Sequence, residues 1–150
     1  MLNRFQDVFK SLRSHDVKYL VIGGIAAILH GVPRVTLDLD ILIEASDENA
    51  EALLLALEEA GLGTATMITP NQLLKNEVTM FNDRVRLDVQ TATPGIDFDE
   101  AWANRETMTY EGNEFPVLSV PDLLKSKLAA GRPVDLQDVR MLGERTQSGS

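Results

Sequence analysis

The sequence contains no cysteine. That excludes disulfides, thiol nucleophiles and cysteine-ligated zinc or iron–sulfur centres. It has only two histidines, so a histidine-based metal site is not expected. No apolar run approaches the ~20 residues of a membrane helix. The longest, from Tyr19 to Leu29, is interrupted by Gly23-Gly24. The first residues, Met1-Leu2-Asn3-Arg4-Phe5-Gln6-Asp7, lack the basic-then-apolar order of a secretory signal, and a cytoplasmic location without membrane contact is expected. Basic residues are scarce: 14 Lys and Arg against 23 Asp and Glu, a net charge of −9. That balance argues against non-specific polynucleotide binding. It says nothing of a local basic patch, and bound divalent cations would offset part of it. Internal repeats, low-complexity stretches and linkers are also lacking.

The 150 residues suffice for one domain with a real core, expected over 1–145 with a disordered tail at 146–150. Leu2, Phe5, Val8, Phe9 and Leu12 have the spacing of an amphipathic helix. Val17 to Ile22 reads as a buried strand, Ile25 to His30 as a short helix, and Thr36 to Glu44 as a second strand. Ser46 and Asp47 offer an N-cap for a helix from about Glu48 to Ala60. Thr64 to Thr69 reads as a strand, followed by a loop or helical turn over 70–76. Val78–Phe81 and Arg84–Thr91 form a predicted hairpin around Asn82-Asp83. A short helix over 97–104, a second hairpin around 111–114 and two helices, 121–130 and 134 to about 144, complete the chain. Strand pairs joined by tight turns indicate an α+β fold with a mixed sheet.

Aspartate is depleted in strands, yet Asp38 and Asp40 lie in the second strand and Asp88 in a later one. Side chains two apart share a face, roughly 6.6 Å along the strand. Asp38, Asp40 and Thr36 therefore occupy one face and Leu37, Leu39, Ile41 and Ile43 the core face. By the same alternation Val85, Leu87 and Val89 point inward, and Arg84, Arg86, Asp88 and Gln90 outward. The bland alternative is three solvated polar positions. The sharper one is a metal site, because three close carboxylates repel one another and need a cation. Mg²⁺ takes hard oxygen ligands, and two ions about 4 Å apart can serve phosphoryl displacement. Gly23-Gly24, at a strand-to-helix turn, frees backbone N–H groups to face an anion at a helix N-terminus. In isolation such a pair more often marks an ordinary turn.

Gly23-Gly24, the segment Arg34-Val35-Thr36-Leu37-Asp38-Leu39-Asp40-Ile41 and a third aspartate in a later strand resemble the polymerase-β-like nucleotidyltransferase superfamily. The likeness is greatest to minimal bacterial members, including abortive-infection toxin-like nucleotidyltransferases, small antitoxin nucleotidyltransferases, and enzymes that modify antibiotics. Residues 123–138, with Lys127, Arg132, Asp135 and Asp138, resemble a stretch common in the toxin-like branch. The resemblance implies a palm-like sheet flanked by helices. It also implies transfer of NMP from an NTP to an acceptor hydroxyl on RNA, protein or a small molecule, with release of pyrophosphate. It makes Asp38, Asp40 and Asp88 catalytic residues and ligands of two Mg²⁺ ions, Mn²⁺ substituting, with Asp88 able to help deprotonate the acceptor. Gly23 and Gly24 would cradle the phosphates. Many members have Gly-Ser where this chain has Gly23-Gly24, so only backbone donors are available here.

Arg34 and Thr36 precede the aspartate pair, and Arg34 is placed either to reach the triphosphate or to sit solvated in a loop. Lys127 either contacts phosphate or pairs with Asp135 or Asp138. Arg84 and Arg86 either bind acceptor or pyrophosphate or offset carboxylate charge. Phe98 and Trp102 either stack on a base or pack in the core. At this size a homodimer or separate partner protein is expected to complete the acceptor surface. Two rival functions remain open: a non-catalytic nucleotide-binding or toxin–antitoxin partner module, and a phosphoester hydrolase using water as acceptor.

Overall fold

In the computed structural model, residues 1–148 are described, with side chains through 143. A 3-10 turn over Leu2–Phe5 leads into α1 (Gln6–Ser14), which buries Val8, Phe9 and Leu12 on one face. β1 (Tyr19–Ile22) is buried along its whole length and passes directly into α2 (Gly23–Leu29). β2 (Asp38–Ile43) and α3 (Asp47–Glu59) follow, the latter capped by the Ser46 side chain on the Asn49 N–H. Then come α4 (Pro70–Lys75), the hairpin of β3 (Val78–Asn82) and β4 (Arg86–Gln90), and α5 (Phe98–Ala103). The hairpin of β5 (Glu106–Tyr110) and β6 (Asn113–Val117) precedes α6 (Val120–Ala130) and α7 (Pro133–Ser148). The tail expected from residue 146 lies partly outside the described residues, and α7 runs through Ser148.

The strands form one mixed sheet in the order β3-β4-β2-β1-β6-β5. β1 pairs antiparallel with β2, placing Ile22 opposite Asp40. β2 pairs parallel with β4, placing Asp40 opposite Asp88 and Asp38 opposite Arg86. Paired residues point to the same side of a sheet, so this register gathers the acidic positions on one face. Val21, Val117 and Phe115 take the other face, where Phe9 of α1 stacks on Phe115 with centroids 4.4 Å apart. α3 packs beside α1, while α2 contacts β1, β2 and α6, and α6 packs on α7. The α+β fold with a mixed sheet is therefore as expected.

Three local expectations differ. The strand expected at 64–69 is a 3-10 segment, Gly63–Met67. Only Ala65 of it reaches the core, and the Thr66 hydroxyl donates back to the Gly63 carbonyl at 2.8 Å, a local bond that competes with strand pairing. Leu37 is 65% exposed rather than core-facing, because the strand begins at Asp38, two residues later than expected, and leaves Leu37 in the loop before it. Arg84 does not share the face of Asp88. It sits in the β3–β4 turn, donating to the Ala60 carbonyl at 2.7 Å and facing Asp7 at 3.5 Å.

Candidate active site

β1 ends where Gly23 adopts a left-handed φ of +68°, a conformation that costs a side chain but not a glycine. A Cβ at this position would stand 2.5 Å from Asp40 Oδ2. Gly23 thus lets the first turn of α2 lie directly against the Asp40 carboxylate. Gly24 makes room for a different group: its Cβ would meet Arg34 Nη2 at 2.8 Å and Thr36 Cγ2 at 3.4 Å. The two glycines seat Asp40 and, from the loop between α2 and β2, Arg34 against one helix start.

A cavity of about 410 Å³ opens here, walled by Gly23, Asp38, Asp40 and Asp88 on the sheet side and by Ser126, Lys127, Arg132 and Asp135 from α6 and α7. Asp88 is buried and Asp40 half-buried. Burial pushes the Asp40 carboxyl up to about 7, and the charges of Asp88 and Asp38 and a hydrogen bond with Asp88 add to that push, against Arg86. Three carboxylates in this proximity are short of positive charge. Arg86 partly supplies it: its Nε lies 3.6 Å from Asp38 Oδ2 and its Nη2 3.3 Å from Asp88 Oδ2. Among the described residues no three acidic or histidine side chains are gathered at ligand distances. The donor chemistry of Asp38, Asp40 and Asp88 nonetheless suits a hard divalent cation, with the Arg86 guanidinium standing against two of the three.

The opposite wall is a buried ionic network. The Lys127 ammonium lies 2.7 Å from Asp138 and 3.8 Å from Asp135. Asp138 also accepts from Arg34 at 3.0 Å. Arg132 grips Asp135 through both Nε and Nη2, at 2.6 and 3.1 Å. Burial alone would raise the Asp135 pKa, but the Arg132 hydrogen bond and charge outweigh it and hold the carboxyl below its usual range.

Asp38, Asp40, Asp88, Gly23 and Lys127 therefore meet in one cavity. Gly24, Arg34 and Thr36 cluster beside one another, and Asp138 joins Arg34 to Lys127. Sequence reasoning gave Arg132 and Asp135 no role in the cavity, although their i, i+3 spacing in an acidic–basic run is the signal that would have placed them together.

The sheet order and this cavity define the class: an α+β chain with a nucleotidyltransferase-like core. Residues 2–143 match the model of a family described as "nucleotidyltransferase of unknown function" (DUF6036), and the chain belongs to that family. The resemblance noted from the glycine pair and the aspartates is borne out at that level. No curated protein sequence matches the chain. A solved structure of a candidate nucleotidyltransferase from Thermotoga maritima shares the fold, with a TM-score of 0.59 and 18% identity over 96% of this chain and 93% of that one.

Proposed function

We propose that this chain transfers a nucleoside monophosphate from an NTP to an acceptor hydroxyl, with Mg²⁺ as cofactor. In that reaction the acceptor hydroxyl oxygen bonds to the α-phosphorus while its proton would pass to Asp88, the bond from the α-phosphorus to the oxygen bridging to the β-phosphate breaks, and pyrophosphate leaves. The observation that carries the reading is the register of β2 against β4, which sets Asp40 beside Asp88 on a cavity wall. Asp38, Asp40 and Asp88 would hold the metal, which supplies charge neutralisation for the triphosphate and the attacking oxygen. Gly23 keeps the helix start close to Asp40. Lys127 and Arg132 line the wall that the phosphates would meet, and Arg34 shares Asp138 with Lys127 beside it. Arg86, on release from Asp38 and Asp88, becomes available to an anionic substrate.

The contact of Arg86 with two of the carboxylates favours a second reading, a nucleotide-binding module without transfer. Both are tested by following α-³²P label from each common NTP, with Mg²⁺, into a cell extract. Label in RNA, protein or a small molecule that is absent with Asp38→Asn is the expected result. Mg²⁺-dependent NTP binding with no label in any fraction selects the module.

A further inference from the structure

Among the described residues, Arg86 is the only cation in ion-pair contact with the three aspartates. It precedes Asp88 by two residues in β4 and lies opposite Asp38 in the parallel register, so one guanidinium reaches both. Its hold on Asp88 is two-pronged, with Nε 3.4 Å from Oδ1 and Nη2 3.3 Å from Oδ2. The same Nε stands 3.6 Å from Asp38 Oδ2. Three carboxylate oxygens therefore face one guanidinium, and they are oxygens that a hard cation would take. A divalent ion and an arginine repel each other, so the two compete for this set.

Arg86 can leave this position. Its side chain is 42% exposed, and it has no other hydrogen-bond or ion-pair partner among the described residues. It also lines the cavity, across from Lys127 and Arg132. Those two cations are differently placed: Lys127 is almost fully buried against Asp138 and Asp135, and Arg132 grips Asp135. A guanidinium fork matches a phosphate as well as a carboxylate. To admit a cation alone, Arg86 must turn out into water and lose both pairs. To admit a cation together with a triphosphate, it exchanges carboxylate oxygens for phosphate oxygens.

We propose that Arg86 couples metal entry to nucleotide entry: it keeps a bare divalent cation from the oxygens of Asp38 and Asp88, and moves to the triphosphate when the two arrive together. This rests on the transfer reading, whose metal site it regulates. The coupling is reciprocal, because the nucleotide must raise metal affinity by the same factor as the metal raises nucleotide affinity. Removing Arg86 therefore moves two affinities in opposite directions. The bare metal binds tighter, and the nucleotide binds the metal-loaded chain more weakly. An arginine of merely structural importance would weaken both.

Mn²⁺ tests this, because EPR separates free from bound ion without turnover. It is titrated alone into the full chain, into Arg86→Met, which keeps the apolar stem, and into Arg84→Met. The last removes the same charge from the β3–β4 turn, away from the aspartates. Arg86→Met is expected to bind Mn²⁺ at least fivefold tighter than the parent, the low end of ordinary coupling, and Arg84→Met to match the parent. The α,β-methylene NTP that the parent binds tightest is then titrated by calorimetry, in Mn²⁺ raised to saturate each chain. At least fivefold weaker binding is expected in Arg86→Met. The proposal is overturned if either affinity stays unchanged or moves the other way, or if Arg84→Met gains Mn²⁺ affinity equally. Equal Mn²⁺ affinity in the parent and Arg86→Met, lost in Asp38→Asn, overturns the coupling and leaves the metal site standing. Absence of saturable Mn²⁺ binding from the parent and Arg86→Met alike overturns both.

Discussion

At the scale of single residues, the glycine pair divides into two different requirements. Gly23 combines a positive φ with a Cβ position only 2.5 Å from a carboxylate oxygen, so an added methyl strains the backbone and displaces Asp40. Gly23→Ala is expected to cost ~1–3 kcal/mol in urea unfolding and to abolish transfer. At Gly24 the nearest atom is the far end of Arg34, a flexible side chain, and φ is not positive. Gly24→Ala is therefore expected to cost less than ~1 kcal/mol, while disturbing the Arg34 contact with Asp138. Equal costs at the two positions would show that close approach to Asp40 is not what Gly23 provides. This distinction was not legible in the sequence, where Gly23 and Gly24 look alike. It depends on which neighbour the folded backbone brings up to each Cα.

At the scale of elements, α6 and α7 are joined across their turn by charge as well as by apolar packing. Lys127, Asp135 and Asp138 are all almost fully buried, and Arg34 and Arg132 complete the network from outside it. Removing one partner from a buried ionic set leaves uncompensated charge. Lys127→Met is expected to destabilise the chain by about 3 kcal/mol in urea unfolding, the low end of such effects because Arg34 and Arg132 stay on the two aspartates. A loss below ~1 kcal/mol would mean that the lysine is held there for a ligand and not for the helix pair. The network also has a pH signature. Asp135 has a lowered folded pKa, so its contribution is whole above the unfolded carboxylate range near ~3.9 and disappears as pH falls through the lower folded value. Arg132→Met should flatten that acid-side fall in the urea midpoint; an unchanged slope would remove Arg132 as its cause. At this scale the hairpins and the Ser46-capped helix were legible, since each rests on local spacing and turn residues, whereas α2 begins at Gly23 rather than Ile25 and α7 runs past 144. The segment 63–67 was not: Thr and Ala alternate there as in a strand, but it forms a 3-10 turn in which the Thr66 hydroxyl bonds back to Gly63 and the Thr64 N–H to Asp83.

At the scale of the whole molecule, the cavity is a meeting of distant parts. Gly23, the β2 and β4 aspartates and the α6–α7 pair come from sequence positions as far apart as 23 and 135. The alternation of β2 and of the 84–91 run predicted that Asp38, Asp40 and Asp88 would share a polar face, and the parallel register bears this out. What alternation could not supply is the α6–α7 wall of the cavity, or the placing of Arg86 between two carboxylates, because both depend on packing between remote segments. A cavity built from separate parts has a thermodynamic consequence: a ligand that touches both walls binds the folded chain and not the unfolded one. Mg²⁺ with an NTP at about 100 times its Kd should add ~2.7 kcal/mol, a rise of roughly 5–10 °C in Tm for a chain of this length. Asp40→Asn keeps the cavity shape but removes a charge from its most crowded carboxylate, so its Tm without ligand should be unchanged or higher, and its ligand-induced rise should vanish. A rise of equal size in the variant would place the nucleotide away from the β2–β4 wall and sink the assignment of the carboxylates.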